Sequence, residues 1–389
     1  MTRALEACRN IADLRALARR RMPAPIFHYV DGGAEDEVTL RRNTQAFEDY
    51  ELEPEYAVDV SAIDTSTTIL GQQLDWPVVA APTGLLGLLH RDGEIGVARA
   101  LARSGSVFTQ SCMSNVTIED VGAVPGAKML QAYTFRDRGL TREFIARGRE
   151  AGFVALCLTF DVPVPGMRER DLLYGLTVPP RLSIGSLLDF ALHPRWSLRY
   201  LSGPPLRIAN VAHRIAEGTS DLSSIIQFVT NQYDPSATWD DAAEMIGYWD
   251  GPVAIKGVMT PGDAKRAAAA GASAIVVSNH GGRQLDGAAA TIDRLAPVVD
   301  AVGGDLEVIL DGGIRRGSHV IKALALGARA CMAGRAFLYG LGAGGEAGVD
   351  RACTILHQQI RRSMALSGVV RTADITRERV SWRRPARPV

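Results

Sequence analysis

His280 and Arg283 stand three positions apart in Ser278-Asn279-His280-Gly281-Gly282-Arg283-Gln284-Leu285-Asp286, directly after the apolar run Ala274-Ile275-Val276-Val277. An imidazole exchanges a proton near neutral pH, and a guanidinium can grip a carboxylate through two parallel hydrogen bonds. Lifted by glycines from the end of a buried strand, such a pair suits a small anionic substrate. An isolated H-x-x-R is more often a loop histidine beside a solvated arginine, so its meaning depends on what accompanies it.

Other residues of this kind fall at the ends of apolar runs. Asp311-Gly312-Gly313-Ile314-Arg315-Arg316-Gly317 and Ala333-Gly334-Arg335-Ala336 follow the last two runs. Glycines there let backbone N–H groups approach a phosphate, and Arg315 or Arg335 supplies charge-assisted bonds; the bland reading is two tight turns with surface arginines. Lys256 ends Val253-Ala254-Ile255-Lys256. Burying it is costly unless it meets an acid, forms a Schiff base or balances charge on a cofactor. Gln131 with Tyr133, and Thr159 with Asp161, also end apolar runs. Each alone reads as packing; together they form a polar ring.

The elements that must hold these residues recur with one rhythm. Strands are expected at Val78–Ala81, Val107–Thr109, Met129–Ala132, Phe153–Phe160, Val253–Lys256, Ala274–Val277, Leu306–Leu310 and Ala328–Ala333. Alanine-rich helical patterns lie between them, at Glu94–Arg103, Arg142–Glu150, Pro261–Ala270 and Ser318–Leu326. Eight alternating units predict an α/β fold of the (β/α)8 TIM-barrel type, with its chemistry at the strands' carboxyl ends. An open doubly wound sheet is the rival, but it lacks a glycine-rich fingerprint after the first strand. Residues 1–389 are read as one domain: a helical segment 1–75, a barrel 76–366 and a tail 367–389. A proline-rich insertion, 162–238, follows the fourth strand, and so long an irregular stretch in a compact barrel is usually functional.

Composition narrows the function classes. Lysine plus arginine equals aspartate plus glutamate, 43 against 43, so no global charge points to nucleic acid. Cys8, Cys112, Cys157, Cys331 and Cys353 show no C-x-x-C spacing, which argues against a disulfide scaffold, a zinc site or attached haem, and no metal is expected. Ile11, Leu14, Leu17 and Ala18 recur at helical spacing, and the arginine-rich start has no secretory pattern. No run approaches the length of a membrane span. A cytoplasmic protein is expected.

With these residues in place, the chain resembles the FMN-dependent (S)-2-hydroxy-acid oxidases and dehydrogenases from about Arg20 to Gly368. The resemblance is carried by Gly33-Ala34-Glu35-Asp36, Ala81-Pro82-Thr83-Gly84, Ser278 to Asp286, and Asp311 to Gly317. Arg168-Glu169-Arg170-Asp171 and His193-Pro194-Arg195-Trp196-Ser197-Leu198 are most similar to the membrane-associated mandelate dehydrogenase branch. It implies FMN as cofactor and His280 as the base, with Asp161 stabilising the imidazolium. Arg168 and Arg283 would hold the substrate carboxylate, Tyr29 would touch it, and Tyr133 would bond the hydroxyl. Lys256 would sit beside the flavin's pyrimidine edge. Pro82, Thr83 and Gly84 would lie against the ring; Ser111, Gln131, Thr159 and Ser278 would bond its polar edge or ribityl chain. Asp311, Gly313, Arg315, Gly334 and Arg335 would complete the ribityl and phosphate site.

Three positions depart from the pattern. Met113 replaces a tryptophan of glycolate oxidase-like members, Gly84 an alanine of many oxidases, and Met167 a tyrosine of mandelate-specific relatives. The first two imply a roomier pocket for an aryl or long-chain acid; the third counts against mandelate itself. The implied reaction is oxidation of an (S)-2-hydroxy acid to the 2-oxo acid. No haem-attachment motif is present, so electrons would leave to an external quinone or oxygen. The alternatives are an L-lactate dehydrogenase, an oxygen-using oxidase, an FMN-dependent barrel isomerase and a non-catalytic flavin-binding module. Residues 176–211 mix Arg181, Arg195, Arg199 and Arg207 with leucines and aromatics, which suits peripheral contact with the inner face of the cell membrane; a lid over the site or a subunit contact is the alternative. The resemblance also implies a homo-oligomer, commonly a tetramer.

Overall fold

The computed structural model describes residues 2–175, 183–203, 206–214, 228 and 230–383. Eight parallel strands make its centre: β1 Val78–Ala80, β2 Phe108–Ser111, β3 Lys128–Tyr133, β4 Ala155–Thr159, β5 Val253–Val258, β6 Ala274–Val277, β7 Glu307–Asp311 and β8 Ala330–Ala333. Neighbours in sequence are neighbours in space, and β8 returns to pair with β1, Cys331 opposite Val78. Between β1 and β2, the Ala80 N–H reaches Val107 O at 3.0 Å and Thr83 bridges Gln110. The sheet is thus curled into a barrel, and the eight expected strands are all present.

These strands are buried on both faces, which is why they read as near-continuous apolar runs. Val79, Met129, Ala254, Val276, Ile309 and Met332 belong to the layer inside the barrel. Their neighbours Val78, Leu130, Ile255, Val277, Leu310 and Cys331 pack with the surrounding helices. Truncating a fully buried member such as Ile309 to alanine would cost about 2–5 kcal/mol. A hairpin, Thr67–Ile69 with Gln72–Leu74, stops the end opposite the site: Ile69, Leu70 and Leu74 join the inner layer, and the Leu70 N–H bonds Glu307 at 2.6 Å.

The four expected helices appear at Gly93–Arg103, Arg138–Glu150, Pro261–Ala269 and Gly317–Ala325. The helices Ile118–Gly122, Trp239–Ile246, Thr291–Val302 (with Pro297 inside it), Arg335–Gly344 and Glu346–Leu366 complete the ring. The amphipathic N-terminal pattern forms the helix Ile11–Arg21, capped by the Asn10 side chain on the Asp13 N–H, and it packs on Arg335–Gly344.

The insertion after β4 is more regular than its sequence suggests. It holds short helices at Glu169–Leu173, Ile184–Leu192 and Pro194–Leu201. Ser183 caps the second through the Ser186 N–H, and Pro194 starts the third at a position that needs no donor. Their apolar residues lie mostly outward, with Ile184, Leu192 and Leu201 each nearly 80% exposed (79%, 78% and 78%). Arg181 and Leu182, part of the expected interfacial stretch, lie outside the described residues.

Candidate active site

A cavity of about 520 Å³ opens at the carboxyl ends of the strands. Behind its floor stands Ser278, just past β6, whose hydroxyl accepts from Lys256 Nζ at 2.9 Å and from the His280 N–H at 3.1 Å while donating to Asp311 Oδ2 at 2.8 Å. Lys256 also pairs directly with Asp311 at 3.1 Å. Burial opposes the lysine's charge, but Asp311 and Asp161 outweigh it and raise its pKa. Of the readings open for Lys256, an acid partner is therefore realised, and the lysine stays cationic at the cavity's edge.

His280 is held in the left-handed region, φ 57°, and Gly281 and Gly282 continue it at 65° and 72°. A non-glycine residue there is uncommon and is tolerated where surrounding bonds fix it. Side chains at the two glycines would collide, with Arg335 Nη1 at 2.9 Å and with Leu40 N at 2.6 Å. This turn aims the imidazole across the site, where Nδ1 meets Asp161 Oδ1 at 2.9 Å. A carboxylate only accepts, so Nδ1 carries the hydrogen and the Nε2 lone pair is left for the cavity. Burial works against the Asp161 charge; His280 and Lys256 overcome it and hold the carboxyl below its usual range. Gly257 makes room for this acid, since a Cβ there would lie 2.7 Å from Asp161 Cβ.

Arg283 approaches from the same loop. Its Nη1 donates to the carbonyls of Tyr29 and Gly32 at 2.8 and 3.0 Å, and its guanidinium lies 5.2 Å from the Tyr29 ring centroid. Among the described residues no carboxylate pairs with it. Burial, then the like charge of Arg168, depresses its pKa to about 10. Arg168 arrives on the insertion, whose start is pinned by Gly166 N–H to Gln284 Oε1 at 3.1 Å and by Glu35 N–H to Met167 O at 2.8 Å. The acid nearest Arg168, Asp171, is 3.9 Å away and is pushed toward neutrality by burial. Two guanidinium groups thus converge with little negative charge to answer them. Tyr133 completes this side, packed edge-on against Tyr233 with ring centroids 5.3 Å apart.

The rest of the cavity fits a flavin nucleotide. Pro82, Thr83, Gly84, Ser111, Gly313, Arg315, Gly334 and Arg335 all line it. Gln131, Thr159 and Ser278 lie behind the surface: Gln131 accepts from the Ser111 hydroxyl at 2.9 Å, while Gln131 Nε2 and Thr159 Oγ1 are buried without a hydrogen-bond partner. Buried orphan groups are costly, and a polar heterocycle edge would satisfy them. Gly313, at φ 76°, lies so close to Asn43 that a Cβ would fall 1.8 Å from its carbonyl oxygen. Arg335 uses Nε, Nη1 and Nη2 on the carbonyls of Val30, Gly281 and Gly32, tying the histidine loop to the N-terminal helix Ala24–Asp31. Among the described residues the Arg315 guanidinium hydrogen-bonds only the carbonyl beside it, Ile314 O, and lies 5.8 Å from the Tyr339 ring centroid, so most of its N–H groups are uncommitted.

Fold and cavity together define a flavin-dependent β/α-barrel oxidoreductase. Comparison with known proteins agrees. Residues 18–382 match the FMN-dependent dehydrogenase family, and the chain belongs to it. It is 42% identical over 366 residues to an L-lactate dehydrogenase from Pectobacterium atrosepticum, covering 94% of each chain. The crystal structure of a monotopic membrane protein, (S)-mandelate dehydrogenase, superposes with a TM-score of 0.93 at 36% identity, covering 97% of this chain and all of that one. A mandelate oxidase bound to benzoyl-formic acid gives 0.81 at 33% identity, over 96% of this chain and 98% of the other. The chain is an FMN-dependent enzyme that oxidises 2-hydroxy acids.

Sequence reasoning missed Tyr233, Asp171, Met332 and Leu338, all of which line the cavity. Tyr233 follows a stretch with no periodic pattern, and contacts of its segment with residues 135–138, among them the antiparallel bridge to Phe135 and the Arg136 Nε bond to its carbonyl at 3.1 Å, bring it to the site. No motif marks it.

Proposed function

We propose that this protein oxidises (S)-2-hydroxy acids with bulky, mandelate-like side chains to the 2-oxo acids and passes the electrons to an external acceptor. The observation that carries this reading is Arg283, buried, cationic and, among the described residues, without a carboxylate partner, on the same loop as a histidine whose Nε2 meets no hydrogen-bond partner among those residues. Arg168 and Arg283 hold the substrate carboxylate, with Tyr29 beside it. Tyr133 hydrogen-bonds the hydroxyl. His280 Nε2 takes a proton from the hydroxyl or the α-carbon, and Asp161 stabilises the imidazolium. Bound FMN supplies the two-electron acceptor, held by Pro82, Thr83 and Gly84 against the ring and by Arg315 at the phosphate. Lys256 would place a positive charge at the edge of the bound cofactor, where it would favour added negative charge.

Support for a bulky substrate comes from the cavity's apolar lining, which includes Gly84, Met113, Leu172 and Ile208 and, among the described residues, no tryptophan. The name borne by the 42%-identical relative favours a second reading, L-lactate. Anaerobic bleaching of the bound flavin by mandelate, longer acids, lactate and glycolate separates them. Faster reduction by mandelate or the long acids is expected; a clear preference for lactate would establish the second reading. Failure of every acid to bleach the flavin would exclude both.

Among the described residues no helix is long and apolar enough to cross a membrane. The outward leucines of the insertion, together with a monotopic relative, favour a cytoplasmic protein resting on the inner face of the membrane, with a quinone as acceptor; oxygen is the other candidate. A homo-oligomer, as a tetramer, is part of the same proposal.

A further inference from the structure

Tyr233 lines the catalytic cavity, and its segment is tied to the turn that follows β3. The Arg136 N–H donates to Gln232 O at 2.7 Å, Arg136 Nε to Tyr233 O at 3.1 Å, and Arg138 pairs with Asp234 at 2.7 Å. The ring meets Tyr133 edge-on, with centroids 5.3 Å apart, and lies 6.1 Å from Phe135. Backbone and ring are therefore both set by the end of the strand that carries Tyr133. The Tyr233 hydroxyl, by contrast, has no hydrogen-bond partner among the described residues. A buried phenol usually finds one, and a polar group left without it is costly. Packing alone would need only the ring, which phenylalanine supplies.

Two phenols thus stand side by side in the cavity with different surroundings. Burial leads in raising both pKa values, so each keeps its proton and acts as a donor. At Tyr133 the neighbours Tyr233 and Cys112 come next, and Asp161 bears on the phenol more than Arg168 does. At Tyr233 Cys112 comes next and that order reverses, with Arg168 and Tyr29 ahead of Asp161. Tyr133 therefore faces the His280–Asp161 pair, and Tyr233 faces the groups assigned to the substrate carboxylate. A carboxylate has roughly four lone-pair sites on its two oxygens, so it can accept from a phenol as well as from two guanidinium groups.

We propose that the Tyr233 hydroxyl donates a hydrogen bond to the carboxylate of the 2-hydroxy acid, beside Arg168 and Tyr29, and serves binding rather than proton transfer. This rests on the function proposed above. The test compares the FMN-loaded full-length enzyme with Tyr233→Phe, which keeps the ring against Tyr133 and Phe135. Titrating the flavin absorbance with benzoylformate and pyruvate, and with the methyl ester of each, reads affinity with and without a carboxylate. Anaerobic rapid mixing with mandelate and lactate reads reduction. The variant is expected to bind the 2-oxo acids roughly 10- to 100-fold more weakly, as for loss of a hydrogen bond to a charged group, and the esters as the parent does. KM should rise in step while the reduction rate at saturating acid stays near the parent's, the pattern of an interaction made equally in the ground and transition states. Unchanged affinity for both 2-oxo acids would overturn the proposal, as would esters weakened as much as the acids. A slower saturated rate with affinity intact would overturn it too, by moving Tyr233 to the hydroxyl's side. Loss of bound flavin or a lowered Tm in the variant would assign the hydroxyl to structure instead. If no hydroxy acid bleaches the parent flavin, the functional reading fails; the 2-oxo acid titration then judges Tyr233 separately, and a parent that binds neither 2-oxo acid overturns both.

Discussion

The His280 imidazole and the Asp161 carboxylate meet at 2.9 Å although 119 positions separate them in the chain. One stands at the end of β4 and the other on the loop after β6, and the contact fixes both the tautomer and the direction of the histidine. That contact turns a loop histidine into a directed base.

Replacing His280 with glutamine should leave FMN bound and slow its reduction by hydroxy acid by roughly 10²–10⁴-fold, the usual worth of a positioned general base. Rapid-mixing absorbance of the flavin under argon measures it. A near-parental rate would remove His280 from proton transfer.

Asp161→Asn keeps the shape but offers His280 a neutral partner. A hydrogen bond to a charged group is worth about 1.5–3 kcal/mol, so reduction should slow by about 10- to 150-fold. The same stopped-flow measurement applies, with unchanged flavin content as the control for folding.

Arg283→Met should spare FMN and weaken the acid. Removing one partner of a buried ion pair costs on the order of 3–5 kcal/mol, a hundredfold or more in affinity. Equilibrium titration with a 2-oxo acid product reads this directly. Loss of flavin with substrate affinity intact would reassign the arginine to the cofactor.

Gly84→Ala would set a methyl group 2.9 Å from the Met113 carbonyl oxygen and 3.0 Å from its Cβ. Backbone cannot yield as a flexible side chain does, so the 111–115 loop must shift over the substrate wall. Preference for mandelate over lactate, as a ratio of kcat/KM, should change roughly tenfold or more. Unchanged preference, together with unchanged turnover on oxygen and on a quinone-like dye, would exclude a role for this position.

Asp31 gives a prediction about stability. It accepts from Arg15 at 2.6 and 2.7 Å and from the Tyr339 hydroxyl at 2.7 Å, joining the N-terminal helices to the barrel. Burial opposes its charge, but the Arg15 and Tyr339 bonds prevail and lower its pKa from 3.8 to about 2. Because the folded value is the lower one, this contribution is complete above 3.8 and is lost as pH falls through about 2. It amounts to about 2 kcal/mol. Asp31→Asn should therefore lower the urea midpoint at neutral pH, and the gap to the parent should close as pH drops through that window.

Much of this was legible in one dimension. A parallel strand buried on both faces must be a short apolar run, and each of the eight runs became a strand. Glycines at 281, 282 and 313 were readable because close approach of backbone leaves no room for a Cβ. The residues at the strand ends, from Gln131 to Arg335, were legible because barrel geometry sends every strand's carboxyl end to one face. The insertion was less so: its helices are short, and their apolar residues face outward rather than toward a core, so the usual periodic signal does not mark a buried face.

What the sequence determined by itself was the set of groups present and the order in which the barrel offers them, since local periodicity and strand order suffice for that. Tertiary structure decided which of them act on one another. Lys256 could have met an acid, a carbonyl or a cofactor; folding placed Asp311 at 3.1 Å. Arg335 was legible only as a cation at a strand end; folding gave three of its five N–H groups to backbone carbonyls of two other segments. Tyr233 became part of the site through long-range contacts such as its bridge to Phe135 and the bond from Arg136 Nε. Pairings of this kind depend on distances between residues far apart in the chain, and burial sets their strength by removing the water that would otherwise screen them.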